Sequence, residues 1–154
     1  MTILNDFSTS VRKALEEIDP KYESYNGLVI CGTHSPHDTE DMILKIEQAR
    51  KTGRPFLGIC FGHQLAAIEY ARNVLGIGDA TSEEFGKGTF VVKKRPTLKV
   101  GLHDGESYWN NYEVVLPDWE KPTHFATTQS HPEYQSSKDK PHPTLKKFIE
   151  LCKK

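Results

Sequence analysis

Two short runs in the chain are apolar without interruption, Gly27-Leu28-Val29-Ile30-Cys31 and Phe56-Leu57-Gly58-Ile59. A run of this length is the pattern of a parallel strand covered on both faces, because neither side of its pleat meets water. Between the runs, Met42, Ile43, Ile46 and Ala49 mark one face of a helix. Asp38, Glu40 and Asp41 suit its start, and Arg50, Lys51 and Gly53 suit its end. After the second run, Leu65, Ala66, Ile68 and Ala71 predict a further helix that closes at Gly76. Strand, helix, strand, helix in short order predicts βαβ units and a mostly parallel α/β sheet with helices on both faces.

Flanking this centre, Ser10 is placed to cap a helix through Val11, Ala14, Leu15 and Ile18 that ends before Pro20. Only Ile3-Leu4 could form a strand ahead of residues 28–31, so the sheet is expected to be short at its N-terminal side. From residue 89 onward the pattern alternates over 89–93, 97–101, 112–116 and 123–128, which predicts antiparallel strands at an edge of the sheet. Leu145, Phe148, Ile149 and Cys152 share one face of a final helix.

Composition narrows the function classes. A chain of 154 residues with no repeat, linker or low-complexity segment is expected to form one domain, 1–154. Its formal charge of −1 arises from interspersed acids and bases, so no stripe exists to hold a nucleic-acid backbone or an anionic membrane. No apolar stretch approaches the ~20 residues that cross a bilayer, and Asp6 falls where a signal peptide needs an apolar core; a cytoplasmic location is expected. Three scattered cysteines, Cys31, Cys60 and Cys152, do not make a disulfide framework. Cys31 ends an apolar strand and Cys152 lies on an apolar helix face, so both are expected to be packing residues.

Cys60 stands apart. Gly58-Ile59-Cys60-Phe61-Gly62 has the form G-x-C-x-G at a strand-to-helix junction, the cysteine counterpart of a nucleophile elbow. Small flanking residues permit the tight turn, which points the sulfur out of the fold and toward the N-terminus of the next helix. There the helix dipole and free N–H groups favour thiolate, and the N–H of Phe61 can donate to an oxyanion. His131-Pro132-Glu133 follows a segment expected to be a strand. A histidine at a strand's carboxyl end is placed to serve as a base, and Glu133 can accept from its other ring nitrogen and so select the tautomer.

G-x-C-x-G followed much later by a strand and H-P-E resembles class I glutamine amidotransferases, whose fold is flavodoxin-like. Ala71-Arg72-Asn73-Val74-Leu75-Gly76, Asp79-Ala80, residues 82–85, residues 129–134 and Pro141-His142-Pro143 are similar to the glutaminase domain of CTP synthase. The resemblance implies Cys60, His131 and Glu133 as nucleophile, base and orienting acid. It also implies that Gln64 and Glu84 meet the polar groups of substrate glutamine, and that the loop with Gly32 and Thr33 supplies a second oxyanion donor beside Phe61. It implies no cofactor and no metal.

Two departures from the family pattern bear on activity. Where that family reads P-G-G-F-G, this chain reads Cys31-Gly32-Thr33-His34-Ser35, and a β-branched Thr33 is expected to reach glycine-like backbone angles only with strain. Before Tyr112-Glu113-Val114 the family has an arginine for the substrate carboxylate, and here Asn111 stands in its place. The expected activity is hydrolysis of a γ-glutamyl amide, that of glutamine or a related small molecule, through a cysteine thioester. In CTP synthase the ammonia serves pyrimidine nucleotide synthesis in an amination domain, which this sequence does not contain; a separate synthase subunit is then an implied partner. The alternatives are a catalytically degenerate module that binds or regulates a synthase, and a hydrolase of another γ-glutamyl compound.

The remaining polar and aromatic residues have plainer readings. His34, His37 and Asp38 lack a third ligand at metal-site spacing and read as a solvated loop. His63 reads as pocket lining, and Tyr108, Trp109, Tyr112 and Trp119 as packing aromatics.

Overall fold

The computed structural model describes residues 1–95, 100–103, 106–108 and 112–154. Four parallel strands, β1 (Thr2–Leu4), β2 (Leu28–Ile30), β3 (Phe56–Ile59) and, late in the chain, β9 (Phe125–Thr128), form the central sheet in the order β1-β2-β3-β9. Both apolar runs are therefore strands, and every residue of β2 and β3 is buried. Helices α2 (Thr39–Thr52) and α3 (Phe61–Asn73) connect them, while α1 (Ser8–Ile18) and α4 (Pro143–Cys152) complete the helical set.

Two apolar cores lie on the two faces of the sheet. Alternate residues of β2 and β3 divide between them: Leu28, Ile30 and Phe56 pack with Met42, Ile43, Ile46, Leu65 and Ile68, whereas Val29, Leu57 and Ile59 pack with Val11, Leu15, Leu145, Phe148 and Ile149. This division follows from the two-residue period of a strand and places α2 and α3 on one face, α1 and α4 on the other. Across α2 and α3, Arg50 donates twice to Glu69, from Nε at 2.8 Å and Nη2 at 3.0 Å, and Asn73 adds a third bond at 2.9 Å.

Several boundaries differ from expectation. α1 begins at Ser8, with Phe7 as N-cap and no side-chain capping bond; Ser10 falls inside its first turn. The Phe7 carbonyl accepts the Val11 N–H at 3.3 Å, and no hydroxyl caps this helix. α3 ends at Asn73, before Gly76, where the N–H groups of Val74 and Leu75 both turn back to the carbonyl of Tyr70. Segment 123–128, expected to be antiparallel, contributes β9, which is parallel to β3. The chain re-enters at the amino-terminal end of the sheet, where the N–H of Phe56 donates to the carbonyl of His124.

The alternating region forms two smaller sheets. β4 (Ala80–Ser82) is parallel to β5 (Thr89–Lys94), and β8 (Tyr112–Val114) pairs antiparallel with β5. β6 (Gly101–His103) and β7 (Glu106–Tyr108) make an antiparallel ribbon. Of the expected strand 97–101, residues 97–99 lie outside the described residues, as does Asn111.

Candidate active site

β3 carries the chain directly into Cys60, which is the N-cap of α3 with φ 54° and ψ −99°. A non-glycine residue in this left-handed region stores strain of about 1–3 kcal/mol, which the surrounding structure must hold. The flanking glycines make that possible. A Cβ on Gly58 would lie 3.0 Å from the carbonyl of Gly62, and a Cβ on Gly62 would overlap the carbonyl oxygen of Ile30. The first turn of α3 thus lies directly against β2. Cys60 itself is 3% exposed, so it is not projected out of the fold as the elbow pattern suggested. It forms part of the wall of a narrow cleft.

That cleft, of about 180 Å3, is lined by Phe7, Gly32, Thr33, His34, Cys60, Glu84 and His131. The register Ile59↔Thr128 between β3 and β9, extended by the Cys60 N–H to the Thr128 carbonyl at 2.8 Å, brings the Gln129-Ser130-His131 exit beside the elbow. His131 then lies against Gly32, where a Cβ would stand 2.6 Å from Cε1 and 3.3 Å from Nε2 of its ring. Nδ1 of His131 is 2.9 Å from Oε2 of Glu133, and both side chains are shielded from solvent. Because a carboxylate only accepts, Nδ1 carries the proton in the neutral ring and Nε2 is the basic atom.

Thr33 does not carry the strain expected of it. Positive φ among non-glycine residues occurs only at Asn5, Asp38 and Cys60 within the described chain, and Gly32 is also free of it. Asp6 orders the loop: its carboxylate accepts the Thr33 hydroxyl at 2.8 Å and the His34 N–H at 2.9 Å. The His34 bond and then the Thr33 bond hold the Asp6 carboxyl below the usual carboxylate range. Phe7, which the sequence pattern did not single out, stacks on His34 with ring centroids 4.8 Å apart and on His131 at 4.9 Å. His34, exposed as the solvated-loop reading expects, also lines the cleft.

The remaining expected residues separate. Glu84 reaches the cleft from the turn after β4, and burial pushes its carboxyl pKa up. Phe61 turns away and packs edge-on against Phe85, centroids 5.9 Å apart, leaving its N–H in the first turn of α3, where helix donors have no partner within the helix. Gln64 is fully buried and does not line the cleft. Its Nε2 donates to Oε1 of Gln129 at 3.1 Å, and Gln129 donates to Sγ of Cys60 at 3.4 Å. Gln129 is thus a polar neighbour of the sulfur; in sequence it stands within the stretch 129–134 that is similar to CTP synthase, with no role attached to it.

His63 does not line the cleft either. Its Nδ1 is 3.0 Å from the Thr127 hydroxyl and its ring lies 5.0 Å from that of Trp119; burial, aided by Lys121, pushes its pKa down to about 3. The other thiols are packing groups, as expected: burial raises Cys31 far above the ordinary range and Cys152 to about 11. A larger hollow of about 710 Å3 opens at the amino-terminal ends of β2, β3 and β9, among Asn26, Arg54, His124 and Cys152. Its thiol is held as a thiol by burial and the Nε2 of its histidine is engaged by the Ala49 carbonyl at 3.0 Å, so the Cys60 cleft is the candidate site.

Comparison with known proteins gives the family and the fold. The family model Glutamine amidotransferase class-I matches residues 5–118, most of the chain, and the chain belongs to that family. It is 35% identical over 180 residues to a CTP synthase of Methanoculleus marisnigri, covering 84% of this chain and 34% of that one. Over 96 residues it is 49% identical to a CTP synthase of Dictyostelium discoideum, covering 60% of this chain and 17% of that one. The chain spans about a third of the length of the curated relatives it matches most extensively. In fold it is similar to the glutaminase domain of Trypanosoma brucei CTPS solved with bound acivicin, with a TM-score of 0.74 at 17% identity, over 99% of this chain and 94% of that one. No helix among the described residues is long and apolar enough to cross a membrane.

Proposed function

We propose that this chain hydrolyses the side-chain amide of glutamine through a thioester on Cys60. The observation that carries the reading is the convergence, in one cleft, of a cysteine held at φ 54° on a helix N-terminus and a histidine whose Nδ1 is engaged by a buried glutamate. Family membership supports the same class of reaction.

Nε2 of His131 takes the thiol proton of Cys60, the thiolate attacks the amide carbon, and the N–H groups of Phe61 and of Gly32 or Thr33 receive the oxyanion. His131 gives a proton from Nε2 to the departing nitrogen, so that the C–N bond breaks and ammonia leaves. Water then enters, His131 takes its proton, the thioester opens and glutamate is released with Cys60 restored. Glu84 pairs with the α-ammonium of the substrate, whose charge favours the ionised carboxylate that burial disfavours. Gln64 serves the site through Gln129, which donates toward the sulfur. The ammonia acceptor is a synthase resembling the rest of CTP synthase, whether on the same polypeptide or a separate subunit.

The test is intact-protein mass spectrometry after incubation with the glutamine-mimicking electrophile 6-diazo-5-oxonorleucine, with Cys60→Ser as control. A single adduct on the wild-type protein and none on the variant is expected. A folded protein that takes up no label would overturn the glutaminase reading and favour a non-catalytic module that binds a synthase.

A further inference from the structure

The ribbon β6–β7 belongs to neither larger sheet, and a lone two-stranded ribbon is only marginally stable in water. Bonds to the rest of the chain must seat it. Among the described residues, bonds from Glu106 and Ser107 run to the segment that carries His131 and to the start of α4. The Ser107 carbonyl accepts the His131 N–H at 2.7 Å, and the Ser107 hydroxyl oxygen accepts from Nε2 of Gln135 at 2.8 Å. One residue earlier, Glu106 uses both oxygens: Oε2 accepts the Ser130 hydroxyl at 2.9 Å, and Oε1 lies 2.7 Å from Nε2 of His142.

The His142 tautomer is set by its other nitrogen. Nδ1 accepts the N–H of Thr144 at 3.1 Å as the side-chain cap of α4, so Nε2 carries the proton and donates to Glu106. Glu106 thereby joins the residue immediately before His131 to the N-terminus of α4. Neither Glu106 nor Ser107 lines the cleft.

Resting on the glutaminase reading above, we propose that Glu106 is a positioning residue for His131. Its carboxylate, acting through Ser130 and beside the Ser107 carbonyl, holds the exit from β9 in the one path that keeps the 2.9 Å bond between His131 and Glu133. A carboxylate that only seated the ribbon would not need donors from both the β9 exit and the α4 cap.

The test compares Glu106→Ala, Glu106→Gln and Ser130→Ala in the full chain. Glutamine keeps the tie, since its carbonyl oxygen can accept from His142 while its amide donates to the Ser130 oxygen. Ser130→Ala removes the Glu106 bond to the β9 exit, with the Ser130–Thr128 hydroxyl contact at 2.8 Å, and leaves the ribbon seated on His142 and through Ser107, which guards against loss of the fold in Glu106→Ala. Long-range 1H–15N spectra of the His131 ring and steady-state glutamine hydrolysis are read on each. Glu106→Ala and Ser130→Ala should show averaged His131 tautomers and a kcat lower by about ten- to a hundredfold, with KM changed by less than about twofold; Glu106→Gln should restore both. An unchanged His131 spectrum in Ser130→Ala, or a loss shared equally by kcat and KM, overturns the proposal. The ring spectra require no turnover, so a wild-type protein that releases no glutamate defeats the glutaminase reading while the spectra still decide the role of Glu106.

Discussion

Nδ1 of His131 lies 2.9 Å from Oε2 of Glu133, two residues further along, inside a short 3-10 turn (Pro132–Tyr134) that begins at the histidine. Such a turn brings a side chain at i+2 back over residue i, and Pro132 at its first position presets the turn. The bond selects the tautomer with a basic Nε2, which the proposed proton transfers need.

Glu133→Gln should weaken that selection, because an amide can present its N–H₂ to Nδ1 and favour the wrong tautomer. Glutamine hydrolysis should fall by about tenfold or more in kcat, with labelling of Cys60 by the electrophile also slowed. Wild-type kcat in this variant would show that Glu133 does not orient the base.

Gly32→Ala tests the packing of the loop on the base. The added methyl would meet Cε1 of His131 at 2.6 Å and Cδ2 of Phe7 at 3.1 Å, distances that force the ring to move. A displacement on the order of 1 Å costs about a hundredfold in rate, while overpacking costs about 1–3 kcal/mol of stability. Parallel measurement of kcat and of the urea midpoint separates the two, and an active, stable variant would mean that the ring has room the structure does not show.

Arg50→Ala addresses stability apart from the site. It leaves the Glu69 carboxylate, whose side chain is 1% exposed, with Asn73 as its remaining partner. Removing one partner of a buried ion pair costs about 3–5 kcal/mol, and the surviving Asn73 bond places the expectation near about 3 kcal/mol. Urea unfolding would read it, and a loss below about 1 kcal/mol would contradict the assignment.

His63 predicts a pH dependence of stability. Above about pH 6.5, its ordinary value, the ring is neutral in both folded and unfolded chains and contributes no slope. As pH falls below 6.5, the unfolded chain takes up a proton that the folded chain, held down to about 3 by burial, does not; stability therefore declines across that window. The carboxylates Asp6 and Asp19, whose pKa values are lowered from 3.8, lose their contributions only at more acidic pH. His63→Gln should flatten the decline of the unfolding midpoint between about pH 6.5 and 4.5, and curves that stay parallel would refute it.

What the sequence determined by itself is what depends on neighbours within a few residues. The apolar runs at 28–30 and 56–59, the helices between and after them, the elbow glycines around Cys60 and the H-P-E turn are all local patterns, read from spacing and the angles that glycine and proline allow. What only the tertiary structure decided depends on pairing across long separations. β9 joins β3 in parallel across some 70 residues, and that pairing alone brings His131 to Cys60 and Gln129 to the sulfur. Helical spacing could not show that Gln64 and His63 face away from the cleft, because two positions on one turn differ only by which neighbour packs against them. Phe7, Asp6 and Glu106 have no motif of their own. Their roles arise because folding brings the start of α1, the loop after β2 and the ribbon β6–β7 against one strand exit, a proximity that no local period encodes.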